Sequence, residues 1–114
     1  YQLKARIHYL SKDYNAAVAT LTMALQHNKN KAEILMNRAL VYYESQRYYY
    51  SMKDLDEVLR LESRNANAYY CRYLIHRKRG DKKAAEKDLA QSKKLGFRPP
   101  VEKEDLPLVI ARTI

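Results

Sequence analysis

The chain of 114 residues contains one cysteine, two glycines, three prolines, one phenylalanine and no tryptophan. With Cys71 alone there is no internal disulfide, and zinc motifs built on several cysteines are excluded. A lone cysteine also suits a reducing compartment, so a cytoplasmic location is the expectation. No run of about 18 apolar residues is present, which removes a membrane-spanning helix. Gly-rich phosphate loops and the HExxH and GxSxG patterns are missing too. Cys71 has no His and acid at a recognisable triad spacing. No catalytic constellation is seen, so the chain is expected not to be an enzyme and to need no cofactor or metal. The scarcity of glycine and proline favours helices joined by short turns.

Tyrosine and charge are abundant instead. Eleven tyrosines must supply the aromatic packing. The net charge of +9 is unevenly placed. Residues 1–31 carry five basic and one acidic side chain, and residues 32–65 carry five and six. Residues 66–98 carry ten and three, and residues 99–114 two and three. A basic C-terminal part invites acidic partners, nucleic acid or anionic lipid, although charge runs are usually solvated faces.

The dominant pattern is a period of 34 residues, clearest in Ala32–Asn65. Small residues recur at Ala5 and Ala39, with Tyr73 as the exception, and again at Ala17, Ser51 and Ala85. Rings recur at His8, Tyr42 and His76, and Leu21, Leu55 and Leu89 share another position. Small, aromatic, small, large apolar at this spacing marks a solenoid of two-helix units. The pattern resembles the tetratricopeptide repeat (TPR) family from Tyr1 to about Pro99. The resemblance implies an all-α, right-handed superhelical solenoid of three helix-turn-helix units. These are 1–31 (lacking its first three residues), 32–65 and 66–99, followed by a capping or tail segment 100–114. The chain starts inside a unit and is read as a piece of a longer protein.

Helical spacing places helices at Tyr1–Ser11, Tyr14–His27, Ala32–Ser45, Tyr48–Leu61, Ala66–Arg79 and Lys82–Leu95. Asp13 and Asp81 are expected N-caps, and Gly80 and Gly96 turn residues. The inward stripe of the third helix reads Leu35, Ala39, Tyr42; that of the fourth Tyr48, Ser51, Met52, Leu55, Val58, Leu59; that of the fifth Tyr69, Tyr73, His76. Tyr73 is too large for a close helix crossing and must tilt toward a gap or open the pair. Lys82, Glu86 and Lys93 stand where earlier units have apolar residues, as expected of a terminal unit with a polar outer face. Asp54, Asp56, Glu57 and Glu62 are expected to pair with Lys53, Arg60 and Arg64 at helical spacing. His8 and His76 hold equivalent positions in non-adjacent units and are read as packing residues. The apolar tail (Leu106, Leu108, Val109, Ile110, Ile114) is expected to lie on the repeats, as a short helix or an extended segment.

TPR domains mostly bind segments of other proteins in a groove lined by the first helix of each unit. Carried onto this chain, the groove would comprise Gln2, Arg6 and Tyr9; Met36, Asn37, Leu40 and Tyr43; and Asn67, Tyr70, Cys71, Leu74 and Arg77. The positions share one helical face, and so many apolar and aromatic side chains are costly to leave in water. A peptide with an apolar centre and acidic flanks is the expected ligand. A second reading is a nucleic-acid-binding repeat that uses the basic unit. The co-chaperone clamp for a chaperone tail is a third. That clamp falls on Gln2, Arg6, Asn37, Asn67 and Cys71, of which only Asn37 matches.

Overall fold

Each described half-unit with helical periodicity forms a helix in the structure, a computed structural model that describes residues 13–27 and 30–97. The helices are α1 (Tyr14–His27), α2 (Lys31–Glu44), α3 (Tyr48–Leu61), α4 (Ala66–Lys78) and α5 (Lys82–Lys94). There is no strand among the described residues. The bounds of α1 and α3 coincide with the sequence reading, and the other three agree within one residue at each end. α2 packs most extensively on α3, and α4 on α5. α1 lies against α2, α3 against α4, and α2 also meets α4. The architecture is therefore an all-α repeat of stacked helix pairs. The expected helix Tyr1–Ser11, with Gln2, Arg6, His8 and Tyr9, lies outside the described residues, as does the tail from Val101.

Local chemistry sets the helix ends. Asp13 accepts a hydrogen bond from the Ala16 amide at 3.2 Å, and Asp81 from the Ala84 amide at 3.2 Å. Both are the caps expected from sequence, and each satisfies one of the free amides of a first turn. Asn65 does the same for Ala68 at 3.0 Å. Gly80 has φ +79°, the left-handed region that glycine enters without a Cβ penalty. The middle unit makes the same turn with Gln46 at φ +63°, 34 residues earlier.

One apolar core runs through the array. Leu21, Ala17 and Ala24 of α1 meet Ile34 and Val41 of α2, Leu55 and Val58 of α3, and Ala68 and Ile75 of α4 in a single cluster. Ala39, Ser51, Leu55 and Val58 were expected there. Ile34, Val41, Ala68 and Ile75 were not, yet all four are fully buried. The inward stripe of α4 needs correction for the same reason. Tyr69, Tyr73 and His76 are only partly buried, whereas Ala68, Cys71, Leu74 and Ile75 are buried. The sequence stripe considered only the partner helix within one unit. A first helix also packs on the preceding unit, so nearly its whole circumference is covered.

The crossing within each pair shows why small residues recur. In the middle unit the buried Ser51 hydroxyl donates to the Ala39 carbonyl at 2.7 Å, which requires the two backbones to approach closely. In the last unit Tyr73 replaces the alanine, with buried Ala85 at the position of Ser51. The Tyr73 ring packs beside Tyr70, with centroids 5.3 Å apart, and its hydroxyl accepts from Arg77 Nη1 at 2.8 Å.

Two arginines staple the units together, and the sequence reading missed them. Arg38 donates from Nε and Nη2 to both carboxylate oxygens of Asp54 at 2.8 Å, and from Nη1 to Thr22 Oγ1 at 3.1 Å. Arg72 repeats this with Asp88 at 3.0 Å and Asp56 at 3.2 Å. Each guanidinium thus joins a first helix to its own partner and to the second helix of the preceding unit. His76 Nε2 also lies 3.3 Å from Asp88. The acidic residues of α3 therefore do not all pair along their own helix as expected. Glu57 meets Arg60, but Asp54 and Asp56 pair across helices, and Glu62 accepts from the Asn65 amide side chain. Asp54 and Asp88 are nearly inaccessible, so they need a partner held in place, and a bidentate arginine meets that need.

Candidate functional site

α2 and α4 are the neighbouring first helices, and the described groove candidates lie on them. The side chains divide sharply by exposure. Met36, Asn37, Leu40, Tyr70, Cys71 and Leu74 are all at most 8% exposed. Tyr43 is intermediate, whereas Asn67 and Arg77 are exposed. The argument that these apolar side chains are costly to leave in water therefore does not apply to the first six. The folded chain already covers them. They form a floor, and Tyr43, Asn67, Tyr73 and Arg77 form the accessible rim.

Tyr43, Tyr73 and Arg77 of the rim are electrostatically connected. Burial pushes the Tyr43 hydroxyl up to about 12, with Tyr48, Glu44 and Cys71 reinforcing and Arg77 opposing. The same surroundings bring Tyr43 of α2 next to Cys71 and Arg77 of α4. Tyr70 is also held above the usual tyrosine range, chiefly by burial. The Arg77 guanidinium sits 5.6 Å from the Tyr73 ring centroid. Phe97, just beyond α5, stacks on Tyr70 with centroids 4.6 Å apart, and Tyr43 meets Tyr48 at 5.8 Å. Aromatic rings from three helices and the segment after α5 thus flank one exposed cation.

Burial pushes the Cys71 thiol up to about 12, so at neutral pH it is a protonated, enclosed apolar group and a poor nucleophile. Among the described residues no group of His, Cys, Asp and Glu is arranged to hold a metal. No described helix is long and apolar enough to cross a membrane. Arg72, a cation on the same helix as Cys71, is engaged by Asp88 and Asp56. Its repeat-periodic placement with Arg38, and that of Asp88 with Asp54, was the sequence signal for these joints.

A cleft of about 470 Å³ opens elsewhere, edged by Leu25 of α1, Leu35 and Arg38 of α2, and Lys53 and Arg60 of α3. None of the groove candidates lines it. Elsewhere on the surface, Tyr49 and Tyr50 at the start of α3 are 63% and 53% exposed and meet edge to face at 5.4 Å. No family model matches the chain, and no curated protein matches it closely enough to count as a relative.

Proposed function

We propose that this chain is a non-catalytic, TPR-type interaction scaffold that binds a segment of a partner protein across α2 and α4. The observation that carries the reading is the rim: exposed Arg77 over Tyr73 and near half-buried Tyr43 at one end of α4, exposed Asn67 at the other, and a closed apolar floor between. Tyrosine and arginine are the residue types enriched in interface centres, where a rigid ring and a forked cation give much contact for little lost freedom. Arg77 favours an acidic group on the ligand, and Asn67 offers both a donor and an acceptor to an extended backbone. The buried floor residues act by fixing the rings rather than by touching the ligand. A clamp for a chaperone tail is disfavoured, because Cys71 is enclosed and Arg72 is committed within the fold. The 34-residue repeat, with small residues at its helix crossings, supports the reading as a TPR-type scaffold.

The test is selection of peptides from a random display library against the full chain, followed by titration of the best binder. Tyr43→Ala, Asn67→Ala and Arg77→Ala should each weaken binding about tenfold while melting stays within a few degrees. Lys83→Glu and Lys94→Glu on α5 should leave the affinity unchanged. Asn37→Ala is a poor probe, since Asn37 is 1% exposed and its loss would disturb the core. If the three rim variants bind as well as the parent, the face is not the binding site.

A further inference from the structure

The second helices carry a surface that the peptide reading does not use. Tyr49, Lys53 and Arg60 are exposed on α3, and four- and seven-residue steps put them on one stripe. One unit later the same positions hold Lys83, Lys87 and Lys94, all exposed on α5. One unit earlier they hold Asn15, Ala19 and Gln26 on α1, which are uncharged and exposed. Positive charge therefore rises along the stripe from α1 to α5. On α3 the accessible Asp56 and Glu57 lie within a turn of Lys53 and Arg60, so the excess positive charge lies on α5. α5 has one exposed carboxylate, Glu86, and its other acid, Asp88, is buried against Arg72. Among the described residues no ion pair holds Lys53, Lys83, Lys87 or Lys94, whereas Arg60 is tied to Glu57.

Two rings stand beside this stripe. Tyr49 and Tyr50 are the most exposed aromatic residues described, and Lys53 Nζ lies 5.8 Å from the Tyr49 ring centroid. Among the described residues of α3 and α5, Leu61 is the one exposed large aliphatic side chain, too little for the apolar wedge of a lipid-inserting helix. An acidic protein segment would use the lysines but leave the two rings without a flat partner. Unpaired lysines spaced along a helical face, next to accessible π-surfaces, match a strand that carries phosphates on one side and unstacked bases on the other.

We propose that the outer surface of α3 and α5 binds single-stranded nucleic acid without sequence preference. Lys53, Lys83, Lys87 and Lys94 contact phosphates, and Tyr49 and Tyr50 stack on bases. This surface is separate from the α2–α4 rim, so the two readings stand or fall independently.

The experiment titrates the full chain into a fluorescein-labelled 20-nucleotide polyuridine RNA at several salt concentrations. Four phosphate contacts give a slope of log K against log salt of about −2.8, which is about a 50-fold loss between 50 and 200 mM salt. Lys83→Glu, Lys87→Glu and Lys94→Glu together should weaken binding by more than about tenfold and flatten the slope. Should the reversed variant lose its helical circular dichroism, the corresponding glutamine variant makes the same test. Tyr49→Ala with Tyr50→Ala should weaken the single strand at least about fivefold and leave an RNA duplex of equal length unchanged. Arg77→Ala should not alter RNA binding. The proposal is overturned if the RNA fails to bind at 50 mM salt, or if the tyrosine variant binds it as well as the parent. It is equally overturned if the duplex, phosphatidylserine vesicles or a polyglutamate peptide bind as tightly as the single strand.

Discussion

The middle unit (α2–α3) and the last described unit (α4–α5) share one sequence pattern but are held together differently. α2 and α3 have neighbours on both sides, and neither begins with a side-chain cap: Asn30 and Arg47 make no capping hydrogen bond. α4 and α5 begin with the capping side chains of Asn65 and Asp81, and their turn contains Gly80. The middle unit even tolerates Gln46 in the left-handed region, a conformation that costs a non-glycine residue on the order of 1 kcal/mol. Where burial is ample, local sequence can be poor. At the end of the described array, where no described helix packs on one side of α5, local signals take over. Leu55 and Leu89 make the point at one repeat position: the first is fully buried and the second only partly so.

The largest effect that would break this comparison is expected at the arginine joints. Arg38→Ala leaves Asp54 buried beside α2 without its ionic partner, and about 3–5 kcal/mol should be lost in denaturant melts. Arg72→Ala should cost at least about 1 kcal/mol less, because His76 remains 3.3 Å from Asp88. Equal losses would mean that the extra partner contributes nothing.

Next in size is the leucine pair. Leu55→Ala should cost about 2–5 kcal/mol, the usual range for a fully buried leucine, and Leu89→Ala about half of that. A loss below about 0.5 kcal/mol at Leu55 would mean that the repeat phase itself is wrong.

The caps should be the smallest effect, and here the order of the units reverses. Asn65→Ala and Asp81→Ala should each cost about 1 kcal/mol, whereas Asn30→Ala and Arg47→Ala should cost no more than a few tenths through the cap.

How much of this was legible follows from the same contrast. The helices, their turns and the caps Asp13 and Asp81 were readable because each depends on residues close in sequence. Contacts between units were not readable in that way. Ile34 and Val41 occupy the same repeat positions as Ala68 and Ile75, and a period of 34 flagged them as equivalent without saying what they touch. Arg38 with Asp54, and Arg72 with Asp88, looked like ordinary surface charges on amphipathic helices. Only stacking makes them interior. The groove candidates failed as exposed residues by the same route. Met36 and Leu40 lie off the core stripe of their own pair, yet the folded chain buries them as well. Arg77 and Asn67 stayed accessible because they sit near the ends of α4.

Native-state hydrogen exchange followed by mass spectrometry or NMR tests most directly whether burial holds the middle unit and local signals hold the last. Amides of α2 and α3 should exchange only through the slowest, global opening. Those of α5 should exchange through a separate opening of lower free energy, which Asp81→Ala lowers further without changing α2. Uniform protection from α2 to α5, or protection lost first in α2 and α3, would contradict the account.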